Sequence, residues 1–166
     1  NSDVEAKNIL QSDAEVKASI IAKFGDDSFF NGKPNRPFIA EKVFNNKENL
    51  DFLNALIHPA VKRKFEEFVE DNKQHSVLFK EAAILIETGS FKELDKLILV
   101  VADESTRIER VMKRDSVSKE KVLDRMKNQM DDEQKKEYAD FVLNNNGEES
   151  IIKQVVSILK ELGEDI

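Results

Sequence analysis

Cysteine is absent from the 166 residues. That excludes a disulfide framework and thiolate chemistry, and it fits a reducing, cytoplasmic setting. Two histidines and no cysteine argue against a structural zinc site, so no metal-ligating set is assigned. No apolar run approaches the roughly 20 residues of a membrane span, and no secretory leader pattern is visible, so no membrane partner is expected. Cations are the scarcer charge: 26 Lys and Arg stand against 33 Asp and Glu, a net −7, which argues against a general nucleic-acid coat. Nothing in the composition calls for an obligate protein partner. Glycine (5) and proline (3) are also sparse, so helices should dominate. What remains is ample: 40% apolar residues supply a core, and 36% charged residues supply solvated helix faces, for one ordinary domain or one with a small insertion.

The chain opens on Asn1 rather than Met and enters a helical pattern at once. Ser12-Asp13-Ala14-Glu15 has the form of a capping box, and Ala14 to Phe24 reads as a helix stopped by Gly25. Residues 25–37 carry two glycines and two prolines and read as a loop. Phe38 to Phe44 and Lys47 to Ile57 read as two short helices. Pro59 suits the first turn of another, ending near Asp71. Beyond His75 the pattern changes. Three apolar stretches read as strands: Ala82 to Ile86, Lys96 to Ala102 and Phe141 to Leu143. The continuous apolar run of the second fits a strand buried on both faces. Asp103 and Ser118 are candidate caps for helices over 104–113 and 119–130, and Ile151 to Leu162 carries a helical stripe ended by Gly163. Strands alternating with helices predict an α/β fold with a parallel sheet, preceded by a mostly helical region.

Several groups could carry chemistry. Between Arg107 and Lys127 eight basic side chains face four acidic ones, a local +4 in an acidic chain. Arg110 and Arg114 share a helix face, and Arg125 follows. Guanidinium groups hold phosphate oxygens by paired hydrogen bonds, so this segment is either a polyphosphate clamp or a solvated surface of ordinary ion pairs. Glu81 and Glu87 bracket the first strand candidate. Open parallel sheets bind ligands at the carboxyl ends of their strands, so each acid is a possible ligand contact or a turn cap. His58, just before Pro59, is either an anion contact or a structural histidine. Arg36 lies in a Gly/Pro-rich loop and is either an anion contact or a surface residue. Asp3 by itself carries no signal.

Taken in order, these segments resemble the dephospho-coenzyme A kinase family of P-loop kinases over about 150 residues. Asn1-Ser2-Asp3-Val4-Glu5-Ala6-Lys7 is similar to that family's Asp-Ala-Asp-x-x-Ala-Arg segment. Asn35-Arg36 with Val43-Phe44 resembles its loop and following helix, and Leu53 to Pro59 resembles its His-Pro motif. Glu81 to Glu87 falls where the family has Asp-x-Pro-Leu-Leu-Phe-Glu. Arg110 to Asp115, with Arg125 and Gln129, is similar to its lid, and Ala139 to Gly147 to its adenine-side segment.

The resemblance implies a three-layer α/β kinase fold with a parallel sheet. A helical acceptor-binding region would span 1–74, a helical lid 104–138, and the nucleotide-binding core 75–103 and 139–166. It implies ATP and Mg²⁺, with phosphoryl transfer to the ribose 3′-hydroxyl of dephospho-coenzyme A. Asp3 and Arg114 are the implied catalytic residues. Arg110, Arg114, Arg125, Asn145 and Gly147 are implied on the ATP side, and Arg36, His58, Glu81 and Glu87 on the acceptor side. Two rival readings are another nucleotide or nucleoside kinase with a similar lid, and a non-catalytic binding module.

This sequence departs from the family pattern at several positions, of which four bear on the argument. Asn1 replaces the first Asp, Lys7 an Arg, and Ala83 a Pro, and no Gly-x-x-x-x-Gly-Lys-Ser/Thr phosphate loop occurs in the 166 residues. Gly32-Lys33-Pro34 does not substitute, because Pro34 has neither a hydroxyl nor an amide hydrogen. The backbone amides and lysine of such a loop cradle the phosphates. The expectation is therefore a further strand–loop–helix unit of some 30 residues upstream of Asn1.

Overall fold

A computed structural model describes residues 1–44, 46–127 and 129–164. It divides into two compact units, Asn1–Ala83 and Ile84–Ile166.

The first unit is helical. Helix α1 (Ser2–Ser12) is capped by Asn1, whose Oδ1 accepts from the Val4 amide at 3.0 Å. One residue, Asp13, separates α1 from α2 (Ala14–Phe24). Its amide closes α1 on the Ile9 carbonyl at 2.9 Å, and its carboxylate opens α2 by accepting from the amides of Glu15 (3.0 Å) and Val16 (2.9 Å). The cap is thus Asp13 and not the serine before it. The Ser12 hydroxyl turns back to the Asn8 carbonyl at 2.8 Å, because Ser12 is itself the last residue of α1. Gly25 ends α2 as expected, with φ of 95°, a conformation that a side chain would strain.

The loop expected over 25–37 contains a small hairpin. Strands β1 (Phe29–Phe30) and β2 (Lys33–Pro34) pair antiparallel across Asn31-Gly32, both with positive φ (49° and 77°). Asn-Gly is the pair favoured in a two-residue hairpin turn, because both positions must adopt left-handed backbone. Helix α3 (Arg36–Val43) follows, capped by Asn35.

Helix α4 (Lys47–Asp71) corrects a second expectation. It is continuous over 25 residues, with Pro59 inside it rather than at a helix start. The reason is its apolar stripe. Leu53, Leu56, Ile57, Ala60 and Val61 keep a three- and four-residue spacing across the proline, and all pack on the core of Ile9, Val16, Ile20 and Ile39. A proline inside a helix costs about 3 kcal/mol. Full burial of a large apolar side chain returns about 1.5–3 kcal/mol; the four large residues of the stripe are partly buried and return less each, yet together they outweigh the break, so the helix holds its register through it.

The second unit is built on a parallel pair. Strand β3 (Ile98–Val101) lies beside β4 (Phe141–Asn144), with Ile98 opposite Phe141 and Val101 opposite Asn144. Asp140 sets that register: one carboxylate oxygen accepts from the Leu97 amide at 2.8 Å and the other from Lys96 at 2.9 Å. The connection holds α5 (Glu104–Asp115), α6 (Lys119–Met126) and α7 (Asp132–Lys136), and α8 (Ile151–Glu161) follows β4. Leu97, Ile108, Val122, Leu143 and Ile158 are the buried apolar residues. The helix expected over 119–130 is shorter, because Asp131 caps a new one through the Gln134 amide at 2.8 Å.

The strand expected at Ala82 to Ile86 is not formed; that segment is a succession of turns. A strand needs a neighbour for its main-chain groups. Here they are satisfied locally: the Thr88 amide and hydroxyl both donate to the Ile84 carbonyl, and the Gly89 amide to Ile86. Two of the three expected strands therefore exist among the described residues, and they are parallel, but β3 is not buried on both faces: Val100, like Val142 beside it, is exposed.

If α4 owes its continuity to the stripe, Pro59→Ala should stabilise the protein by about 1–3 kcal/mol by restoring an amide to the helix interior. Thermal melting reads this as a rise in Tm; a fall would show that the helix is built around the proline.

Candidate active site

In the second unit the site begins at the carboxyl ends of β3 and β4, where loops of parallel sheets gather ligand contacts. The chain leaves β4 through Asn144-Asn145-Asn146-Gly147, and each asparagine has a defined task. The Gln154 side chain pairs with both main-chain groups of Asn144, accepting from its amide at 2.8 Å and donating to its carbonyl at 2.9 Å, as an adjacent strand would. The Asn145 amide extends the ladder to the Val101 carbonyl at 2.8 Å. Asn146 exchanges two hydrogen bonds with Asp103: its Oδ1 accepts from the Asp103 amide at 2.7 Å, and its Nδ2 donates to the Asp103 carboxylate at 3.0 Å. Asp103 stands at the N-cap position of α5, but its side chain is spent on Asn146 and makes no cap bond within the helix. Gly147 turns the chain with φ of 91°.

Helix α5 then carries its arginines along one face. Arg107, Arg110 and Arg114 recur at spacings of three and four. Arg107 pairs with Asp132 at 3.1 Å. Arg110 donates through Nη1 to the Asn145 carbonyl at 2.8 Å and so ties the lid to the β4 loop. Arg114 grips Asp115 with two donors, Nε to Oδ1 at 2.8 Å and Nη2 to Oδ2 at 3.3 Å. Arg125 reaches from α6 to the same carboxylate, Nη1 to Oδ2 at 2.7 Å. Hydrogen bonds from Arg114 first, then Arg125, hold the Asp115 carboxyl down at about 2. Asp115 is therefore ionised throughout the neutral range and both guanidinium groups stay paired to it. The arginine side chains remain 72% and 56% exposed, so their other donors face solvent.

Glu87 does not join this group. Its carboxylate accepts from Lys135 of α7 at 2.9 Å and from the Met130 amide at 3.3 Å. Burial would push the Glu87 carboxyl up; the Lys135 hydrogen bond, a main-chain donor and the Lys135 charge outweigh it and bring it below its ordinary 4.5. Glu87 thus anchors the segment after residue 83 to the end of the lid.

The first unit holds the other expected residues. Asp3 is exposed in the first turn of α1. Glu81 fastens that turn, accepting from the Asn1 side chain at 2.5 Å and, through its carbonyl, from the Ser2 amide at 2.8 Å. Arg36 is exposed at the first position of α3, and His58 is exposed within α4 beside Pro59. Sequence reasoning gave no role of their own to Asp115 and Asn146, which lie within the lid-like and adenine-side stretches, and it missed Gln154. An acid directly after an arginine at a helix end was the available signal for Asp115; the other two act through contacts made only on folding.

A parallel pair whose carboxyl-end loop is tied to an arginine-lined helical hairpin is an α/β arrangement of the kind that P-loop kinases share. Comparison with known proteins narrows the class. The family model described as dephospho-CoA kinase matches residues 1–150. The chain is 33% identical over 165 residues to a dephospho-CoA kinase of Bacteroides fragilis, covering 99% of this chain and 80% of that protein. It is 38% identical over 148 residues to one of Salinibacter ruber, covering 87% and 74%. Among solved structures, the dephospho-CoA kinase from Campylobacter jejuni superposes with a TM-score of 0.69 at 28% identity, and TT1252 from Thermus thermophilus with 0.82 at 30%, each match covering 97% of this chain and 82% of the other. The chain belongs to the dephospho-CoA kinase family, whose general reaction is the ATP-dependent phosphorylation that completes coenzyme A biosynthesis.

The Glu87 pair has a pH signature. Its folded carboxyl titrates below the unfolded one, so its contribution is full above the unfolded value and fades as pH falls through the folded value. Glu87→Gln should cost about 1–3 kcal/mol at pH 7 by leaving the largely buried Lys135 unpaired. In denaturant melts this difference from wild type should shrink on acidification below pH 4.5; a constant difference would show that the charge is not the operative term.

Proposed function

We propose that this chain carries out its family's reaction with Asp3 at the acceptor and the α5–α6 arginines at the triphosphate. The bond between Arg110 and the Asn145 carbonyl carries the proposal, because it joins a lid arginine to the loop that follows β4. The acceptor region comprises residues 1–74, with Arg36 and His58 toward dephospho-CoA, and Glu81 and Glu87 are further candidates on the acceptor side. The lid comprises 104–138, and residues 75–103 and 139–166 hold the nucleotide, with Asn145 and Gly147 beside the adenine. A cytoplasmic setting is part of this reading. Among the described residues no helix is long and apolar enough to cross a membrane.

The ribose 3′-oxygen attacks the γ-phosphorus as the bond to the β,γ-bridging oxygen breaks. ADP departs, and the hydroxyl proton passes to the Asp3 carboxylate and on to water. Phosphoryl transfer needs chiefly positioning and neutralisation of charge. Arg114, Arg110 and Arg125 supply neutralisation with donors arranged for phosphate oxygens. Magnesium accompanies ATP as part of the substrate. No cluster of three or more His, Asp or Glu among the described residues suits a resident ion, and no step is assigned to one.

An ADP-release assay on the full chain tests the assignment. Dephospho-CoA should far outperform AMP and nucleosides as acceptor; equal use of AMP would reassign the substrate. Asp3→Asn should lower kcat by about 10²–10⁴ with little change in KM for dephospho-CoA. Unchanged kcat would remove Asp3 from the chemistry. Arg114→Ala should lower kcat/KM by about 10³ without shifting Tm, since the side chain is exposed and its loss leaves no cavity. A matching collapse in Tm would make Arg114 a structural residue.

A further inference from the structure

Asp115 belongs to no expected role, yet it is the only acid to which two of the lid arginines are paired in the described contacts. Donor arithmetic shows what that pairing leaves. A guanidinium has five N–H donors. Asp115 takes two from Arg114, through Nε and Nη2, and one from Arg125, through Nη1. Among the described residues most of the donors on both groups stay available, and both side chains are more than half exposed. The carboxylate itself is only 26% exposed, behind the two cations.

The backbone reinforces this arrangement. Ser116 ends α5 in the left-handed region, with φ of 53° and ψ of 44°, a conformation disfavoured for any residue that carries a Cβ. The turn brings Asp115, on the last residue of α5, within 2.7 Å of Arg125 on the next helix. Asp115 also places a negative charge at a helix C-terminus, where the helix dipole opposes it. Two guanidinium groups offset that unfavourable placement, and in exchange the acid draws two mutually repelling cations onto one point.

We propose that Asp115 is a positioning residue for phosphoryl transfer, which holds Arg114 and Arg125 together from behind so that their free donors converge on the ATP phosphates. The proposal rests on the assignment of these arginines to the triphosphate. It opposes the alternative in which Asp115 competes with phosphate and masks the arginines. A pre-ordered pair loses less side-chain freedom on meeting the transition state than two independent cations would.

The test is a mutant cycle on the full chain, with kcat, KM for ATP and Tm measured for each variant. Asp115→Asn should lower kcat/KM for ATP by about 10–100-fold, the scale of an angstrom-sized misplacement. Asp115→Glu, which keeps the charge, should recover part of the loss. In an Arg114→Ala/Arg125→Ala background, Asp115→Asn should have no further effect, because its action passes through those side chains. Tighter ATP binding by Asp115→Asn would overturn the proposal in favour of masking. An undiminished loss in the double-arginine background would overturn it in favour of a purely structural role. Should Arg114→Ala and Arg125→Ala each retain full activity, the assignment of the arginines fails first; impaired arginine variants beside a fully active Asp115→Asn would sink this inference alone.

Discussion

The second unit depends on the parallel pairing of Ile98–Val101 with Phe141–Asn144, and on polar side chains that lock it at both ends. Four residues per strand make a short ladder. Apolar strands of this kind can slip by a residue, which would turn every side chain to the opposite face. Asp140 prevents that at the start, with one carboxylate bonded to the Leu97 amide and Lys96. At the far end, Asn146 locks Asp103, and Gln154 stands in for a strand beside Asn144. Since Asp103 is the root of α5, the direction in which the arginine face leaves the sheet follows from that same lock.

The lid uses charge differently. Its ion pairs are exposed, and single exposed pairs contribute little to stability, with a median near 0–1 kcal/mol. Their value here is geometric. Arg110 bonds to a main-chain carbonyl of the β4 loop, while Arg114 and Arg125 share one carboxylate. Each guanidinium is therefore oriented by a fixed acceptor and still carries spare donors. This division suits a reaction that asks the protein for placed positive charge more than for covalent chemistry.

Legibility of the fold followed the range of the forces involved. The stops that act within a few residues were readable: Gly25 and Gly163 end helices, and the apolar run at Ile98–Val101 is a strand with a parallel partner. The caps were less so, since Asp103 and Ser118 stand at N-cap positions without a side-chain cap bond. Errors arose where a local signal met a longer-range one. Pro59 reads as a helix start, but the stripe from Leu53 to Val61 carries α4 through it. Ala82 to Ile86 is as apolar as a strand, yet its main-chain groups close on themselves in turns. The Asn31-Gly32 hairpin was legible in principle, since its turn chemistry is local, and a Gly/Pro-rich stretch hid it. Among the site residues, Arg110 and Asn145 do meet, whereas Glu87 is engaged with Lys135 instead.

What the sequence determined alone was the order of its elements and the family to which that order belongs, because residue type and spacing encode helix faces, strand runs and motif positions directly. Tertiary structure decided which polar groups those elements bring into contact. Asp115 meets Arg125 across ten positions, and Asn146 meets Asp103 across 43. Hydrogen bonds require placement within a few tenths of an ångström, and only the packed chain supplies that.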